Sequence, residues 1–218
     1  MIKSLASSHA DQLHRLQWAL FQAEPVKESW VVQVTASRSR EGVTTVTLAL
    51  ASSMARLFGP DSTVVVEANL RAPAFHQMLG AIPKTSIMNV LEAGCGSLDA
   101  VIKIEDYGFG VLSAGTQPVE SAYRGPEFYL ENIGKLFDEL KSQYKFVLVD
   151  TPAVVPFVDS DIVAGFADSV VIVVEANTTK AEVLNVAINR LKAVDAKIGG
   201  LILNKRVFYI PKWLYRFL

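Results

Sequence analysis

The stretch WVVQVTASRSREGVTTVTLALASSMARLF, Trp30–Phe58, decides the fold. It opens on an apolar, β-branched run, Trp30–Thr35, and crosses a short polar loop, Ser37–Thr45 (SRSREGVTT). It then continues through Thr44–Phe58, where Val46, Leu50, Met54 and Leu57 recur near a 3.6 period until Gly59-Pro60 stops the helix. A strand running through a tight polar loop into a helix that opens on Thr-Thr is the scaffold of a phosphate-binding loop. Backbone N–H groups and the helix dipole there favour an anion. The usual pattern is G-x-x-x-x-G-K-[ST]. Here Ser37 stands at the first glycine, Gly42 matches the second, Val43 replaces the lysine, and Thr44 matches the metal-side hydroxyl. Position and context carry this reading, because the bare pattern fails at two places.

Further strands follow the same plan. Thr63–Glu67 (TVVVE), Phe146–Asp150 (FVLVD), Ser169–Glu175 (SVVIVVE) and Gly200–Asn204 (GLILN) are strong runs, and Phe109–Ser113 (FGVLS) is a weaker one. The strong runs are apolar at consecutive positions, the mark of strands covered on both faces. Helical periodicity returns in Glu127–Gln143 and Lys180–Val194. Alternating strands and helices predict an α/β fold, a doubly wound, mainly parallel sheet flanked by helices. The expected organisation is an N-terminal helical arm over 1–28, the α/β domain over 29–204 and a basic-aromatic tail over 205–218.

Composition narrows the function classes. The 218 residues carry a formal net charge of −1, which supplies no global field for nucleic acid. The single cysteine, Cys95, lies between Gly94 and Gly96 and reads as an incidental loop thiol. No run approaches the roughly 18 apolar residues needed to span a bilayer, and the N-terminus lacks the apolar core of a signal peptide. The expected location is cytoplasmic, with any membrane contact peripheral at the inner face of the plasma membrane.

In open parallel sheets ligands sit beyond the carboxyl ends of the strands. There the second strand ends in VVVEANLRAP, Val64–Pro73, and another delivers Asp150 in FVLVDTPAV, Phe146–Val154. A strand-terminal carboxylate at such an edge can hold Mg²⁺ through water.

The ordered set VTASRSREGVTT, VVVEANLRAP, VLSAGTQPVE, FVLVDTPAV, ADSVVIVVEANTTKAEV and GGLILNK resembles the bacterial tyrosine kinases of capsule and exopolysaccharide assembly. These belong to a wider group of P-loop ATPases with the chromosome-partitioning and division-site proteins. The resemblance runs from about Asp11 to Lys205, and VVVEANLRAP, against D-x-D-L-R-x-P, is its most specific part. It implies ATP or ADP with Mg²⁺ as cofactors. Ser37, Arg38, Arg40, Glu41, Gly42, Val43, Thr44 and Thr45 would form the phosphate loop, and Asn204 would contact the base. Thr44, Glu67 and Asp150 would lie at the metal, with Glu67 and Asp150 catalytic if the site is active.

The departures from the family pattern are concentrated at the site. Val43 cannot donate a charged hydrogen bond to phosphate, Arg40 stands where the family prefers glycine, Glu67 is a methylene longer than the family's aspartate, and Asn69 has lost a charge. Arg38 or Arg40 could substitute for the missing lysine. In the N-terminal stretch the E-x-x-R-x-x-R motif of the family's ring-shaped oligomer falls on Asp11, His14 and Gln17. The amphipathic segment Ser8–Phe21 reads either as a helix packed on the sheet or as an oligomerisation arm. The family's terminal tyrosine cluster is replaced by KRVFYIPKWLYRFL, Lys205–Leu218, with only Tyr209 and Tyr215. That tail suits either a lipid interface or protein groove, or packing on the domain's own core.

The leading expectation is a pseudokinase: a regulatory or scaffolding subunit of exopolysaccharide biosynthesis with weak or no ATP hydrolysis. Its expected partner is a membrane chain-length or co-polymerase protein. The alternatives are an active tyrosine autokinase or ATPase using an arginine in place of the lysine, and a membrane-tethered positioning ATPase.

Overall fold

Strand β1 (Trp30–Ala36) lies inside the sheet with partners from much later in the chain on both sides, β5 (Phe146–Asp150) and β6 (Ser169–Glu175). With β2 (Thr63–Glu67), β3 (Ile102–Ile104), β4 (Phe109–Leu112) and β7 (Ile198–Asn204) it forms a seven-stranded sheet in the order β3-β4-β2-β5-β1-β6-β7. All neighbours are parallel except β3 and β4. The structure, a computed structural model, describes residues 27–80, 83–93, 96–117 and 126–206. The arm expected over 1–28 (apart from Lys27 and Glu28), with Asp11, His14 and Gln17, lies outside the described residues. So do Cys95 and the tail beyond Arg206, including Tyr209 and Tyr215.

The consecutive apolar residues of β1 serve two faces. Val32, Val34 and Ala36 pack in one core layer with Leu48, Leu50 and Met54 of α1 (Val43–Phe58). Val31 joins the opposite layer, beneath α5 (Pro126–Lys141), with Leu136, Phe137 and Leu140. Helix α7 (Ala181–Ala193) covers β6 through Ala187 and Leu191. Burial on both faces explains the unbroken apolar runs of β5 and β6. The sequence predicts this doubly wound arrangement, and Thr63–Glu67, Phe146–Asp150 and Ser169–Glu175 have the expected ends.

Some elements differ from expectation. The antiparallel edge strand β3 is too short and too exposed to leave an apolar run. Three short helices, α2 (Phe75–Leu79), α3 (Ile87–Ala93) and α4 (Ser97–Ala100), fill the path between β2 and β3. A further short helix, α6 (Asp159–Ala164), follows β5. No helix of the described residues is long and apolar enough to cross a membrane.

The register decides what the strand ends share. Asp150 is opposite Val34 on one side and Glu67 on the other. The loops after β1, β2 and β5 therefore leave the sheet side by side, with β5 inserted between β1 and β2. This is the crevice at which open α/β sheets receive ligands.

Candidate phosphate-binding site

The loop after β1 is organised from within by Glu41. Its carboxylate is buried and accepts hydrogen bonds from Ser37 Oγ (3.0 Å) and the Arg38 amide (2.9 Å). The other oxygen accepts a short bond from Thr179 Oγ1, which ties the loop to the segment after β6. Asn204, at the end of β7, donates Nδ2 to the Glu41 carbonyl at 2.8 Å. Lys205 adds a further tie, with Nζ 2.6 Å from the Arg40 carbonyl and 3.1 Å from Glu175 Oε2. A loop with such ties is held open before any ligand arrives.

Two residues of the loop have left-handed backbone, Arg40 (φ 69) and Gly42 (φ 94). The family's preference for glycine at position 40 has its physical reason here, since a side-chain-bearing residue is strained in that region. At Gly42 the conformation and the space both require glycine: a Cβ would lie 2.1 Å from Asn204 Nδ2. Gly42→Ala is therefore expected to cost roughly 1–3 kcal/mol of stability, read as a lower denaturation midpoint. A cost below a few tenths of a kcal/mol would mean that the loop is free to shift.

Gly42 also caps α1, whose first intrahelical bond is Val46 N–H to the Gly42 carbonyl, 3.0 Å. The amides of Val43, Thr44 and Thr45 are the donors left without intrahelical partners at such an end. The Val43 side chain packs against the core layer shared by α1 and β1. An open cavity of about 460 Å³ lies against this helix end, lined by Arg38, Arg40, Thr44, Asn69, Arg71 and Phe157 among others. Arg38 and Arg40 are exposed, and among the described residues neither guanidinium has a hydrogen-bond or ion-pair partner. Arg71 is engaged: it pairs with Asp159 at 3.0 Å and stands over the Phe157 ring at 4.5 Å.

The two strand-end carboxylates have different fates. Asp150 is buried, and its Oδ2 accepts from Thr44 Oγ1 at 2.9 Å while Oδ1 has no partner. Burial pushes this carboxyl up to about 8, opposed by the Thr44 hydrogen bond and reinforced by the charge of Glu67. Glu67 is also buried, but both its oxygens are fully engaged. Oε1 accepts from the amides of Ala74 (2.6 Å) and Phe75 (2.8 Å), and Oε2 from Ser113 Oγ (2.8 Å) and the Ala114 amide (2.9 Å). It is the joint between β2, α2 and the end of β4.

No family model matches the chain. It is 24% identical over 200 residues to the succinoglycan biosynthesis transport protein ExoP of Rhizobium meliloti, an alignment covering 91% of this chain and 25% of ExoP. Against the tyrosine-protein kinase CpsD of Streptococcus agalactiae it is 25% identical over 185 residues, covering 82% of this chain and 76% of CpsD. The kinase domain of the Escherichia coli tyrosine kinase ETK has the same fold, with a TM-score of 0.80 and 20% identity over 92% of this chain and 78% of that one. The chain is a P-loop protein related to the bacterial tyrosine kinases. It spans a quarter of the length of ExoP and three quarters of that of CpsD.

The ATP and Mg²⁺ that this kinase relationship implies fit the residues unequally. The open loop, the α1 amides and the cavity with Arg38 and Arg40 suit phosphate oxygens. For a divalent ion the donors are few: Thr44 and Asp150 are bonded to each other, Asn69 is neutral, and Glu67 is consumed by the fold. No group of three or more His, Cys, Asp or Glu among the described residues could hold a metal. The groups around the loop thus suit phosphate oxygens better than they suit a divalent ion.

Of the residues singled out from the sequence, Arg38, Arg40, Gly42, Val43, Thr44 and Thr45 face the cavity. Ser37 and Glu41 instead form the interior of the loop, Asn204 ties it to the end of β7, and Glu67 is turned into the protein. Thr179, Glu175 and Lys205 hold the loop as well, a role that the runs NTTKAEV and LNK do not reveal. Buried Gln33 and Thr35 were missed as well. They interrupt β1 with polar groups and anchor the loop after β5, Gln33 Nε2 to Thr151 Oγ1 (3.0 Å) and Thr35 Oγ1 to the Pro152 carbonyl (2.8 Å).

Proposed function

We propose that the chain is a catalytically silent relative of the tyrosine kinases that serves as a regulatory or scaffolding subunit in bacterial exopolysaccharide assembly. The observation that carries this reading is Glu67, whose carboxylate is closed by its hydrogen bonds and has no lone pair to spare for a metal or an attacking hydroxyl. The loss of the lysine at Val43 points the same way, since phosphoryl transfer relies on a cation there to offset developing charge. The exopolysaccharide assignment draws on the likeness to ExoP and CpsD. The partner in this reading is a membrane chain-length or co-polymerase protein at the inner face of the plasma membrane. In this reading it is engaged through the sheet-edge face of the α/β domain (29–204) and the tail (205–218).

The retained contact between Thr44 and Asp150 favours the other reading, an active ATPase or autokinase. Steady-state hydrolysis of Mg-ATP and labelling of the protein's own tyrosines decide between them. The expected outcome is no turnover above buffer and no label. Val43→Lys is expected to restore neither, because Glu67 stays closed. Turnover by the unmodified chain that Asp150→Ala abolishes would reject the silent reading. The scaffolding part is tested by co-purification of the chain with its co-polymerase from membranes.

A further inference from the structure

The charges around the cavity have an unusual balance for a site of this fold. Two guanidinium groups, Arg38 and Arg40, line it with no partner among the described residues. Arg71 lines it too, with its charge met by Asp159. On the acidic side, Glu67 is directed into the protein by its contacts with α2 and with Ser113 and Ala114. Asp150 is buried behind Thr44, and position 69 carries an amide. The free charge facing the ligand is therefore positive before any metal is added. A divalent cation normally has two tasks at nucleotide phosphates, to neutralise them and to bridge them to protein carboxylates. Here the arginines perform the first, with the planar donor array that suits phosphate oxygens. The second finds almost no carboxylate available.

We infer that this cavity binds a polyphosphate group, free or carried on a nucleoside, without a divalent cation, and that Arg38 and Arg40 supply the charge that the metal and the lysine supply elsewhere. This rests on the silent-relative reading above, since a site that holds phosphate without metal retains ligand without turning it over. The ligand class is an uncomplexed diphosphate such as ADP or pyrophosphate. The amides at the start of α1, which is long enough at 16 residues to have an end dipole, complete the cradle.

The test is calorimetric titration of the full chain with ADP and, separately, with inorganic pyrophosphate, each in EDTA and in excess Mg²⁺. Both probes are expected to bind in EDTA with a Kd within about threefold of the Mg²⁺ value. The double variant Arg38→Ala/Arg40→Gly, in which glycine relieves the left-handed backbone, is expected to weaken both by roughly tenfold or more, the scale of lost charge-assisted hydrogen bonds. Arg56→Ala, which removes an equal charge from the last turn of α1, is expected to change nothing. Equal affinity for the two probes assigns recognition to the phosphates, and tighter ADP binding adds a nucleoside contribution. Both uphold the inference. It is overturned by binding that falls more than tenfold in EDTA, by a double variant that melts normally and binds like the parent chain, or by no binding of either probe. The hydrolysis assay is independent of these outcomes: turnover rejects the silent reading, whereas metal-dependent binding without turnover rejects only this inference.

Discussion

Glu67→Ala is expected to lose a substantial part of the stability of the domain. The substitution leaves Ser113 Oγ and the amides of Ala74, Phe75 and Ala114 without their acceptor. A buried polar group left unpaired costs about 1–3 kcal/mol, and a whole domain is held by only about 5–15 kcal/mol. Water entering the vacated volume recovers part of the loss, so a drop of about 3–5 kcal/mol is the expected result, the range found when one partner of a buried charged contact is removed. Urea unfolding followed by circular dichroism reads it directly. Glu67→Gln separates shape from charge: it keeps the volume but turns an NH₂ group toward amides that are themselves donors. If Glu67→Ala cost less than 1 kcal/mol, the carboxylate would be a spectator of the fold and its availability for chemistry would have to be reconsidered.

The second large effect is a dependence of stability on pH centred on Asp150. Its carboxyl is raised to about 8 in the folded chain, first by burial, whereas the ordinary value of 3.8 applies when the chain is unfolded. The folded state therefore holds a proton that the unfolded state gives up. The contribution is fully present below the unfolded value and is lost as pH rises through about 8. Within that window the slope approaches about 1.4 kcal/mol per pH unit as an upper bound. Asp150→Asn removes the titration and preserves an acceptor for Thr44 Oγ1. Its melting temperature relative to the parent chain should rise from pH 5 to about pH 8 and level off above it. A difference that stays flat across that range would show that Asp150 ionises alike in both states.

These two carboxylates also show where reading the sequence stops. Both were recognisable as strand-terminal acids, because apolar runs with sharp polar ends mark the edge of a parallel sheet. The structure adds a direct hydrogen bond from Thr44 to Asp150. The fate of Glu67 does not follow from that placement, since two of its partners, Ser113 and Ala114, are far along the chain and two are amides of the turn into α2, and none of them leaves a compositional mark. Glu41 is similar. Its position in the loop suggested a ligand contact, yet its carboxylate is spent on Ser37, Arg38 and Thr179. At Arg40 the family's preference for glycine was visible but the left-handed backbone was not, because local sequence does not reveal that Lys205 holds its carbonyl from the end of the last strand. Fold class was legible because it depends on periodicity. The chemistry of the site depends on which side chain the finished fold has already satisfied.

The position of β1 in the sheet has a consequence for how the chain is made. Its two neighbours pair Trp30 with Phe146 and Val32 with Ser169, so neither exists when β1 leaves the ribosome. This interior strand must wait, with both edges unpaired, for most of the domain to be synthesised. Pairings this distant in sequence close late and slowly, and edges exposed meanwhile are prone to association with other chains. Refolding yield should accordingly depend on protein concentration more than on final stability, and the loop Ser37–Thr45 should be among the last parts to form.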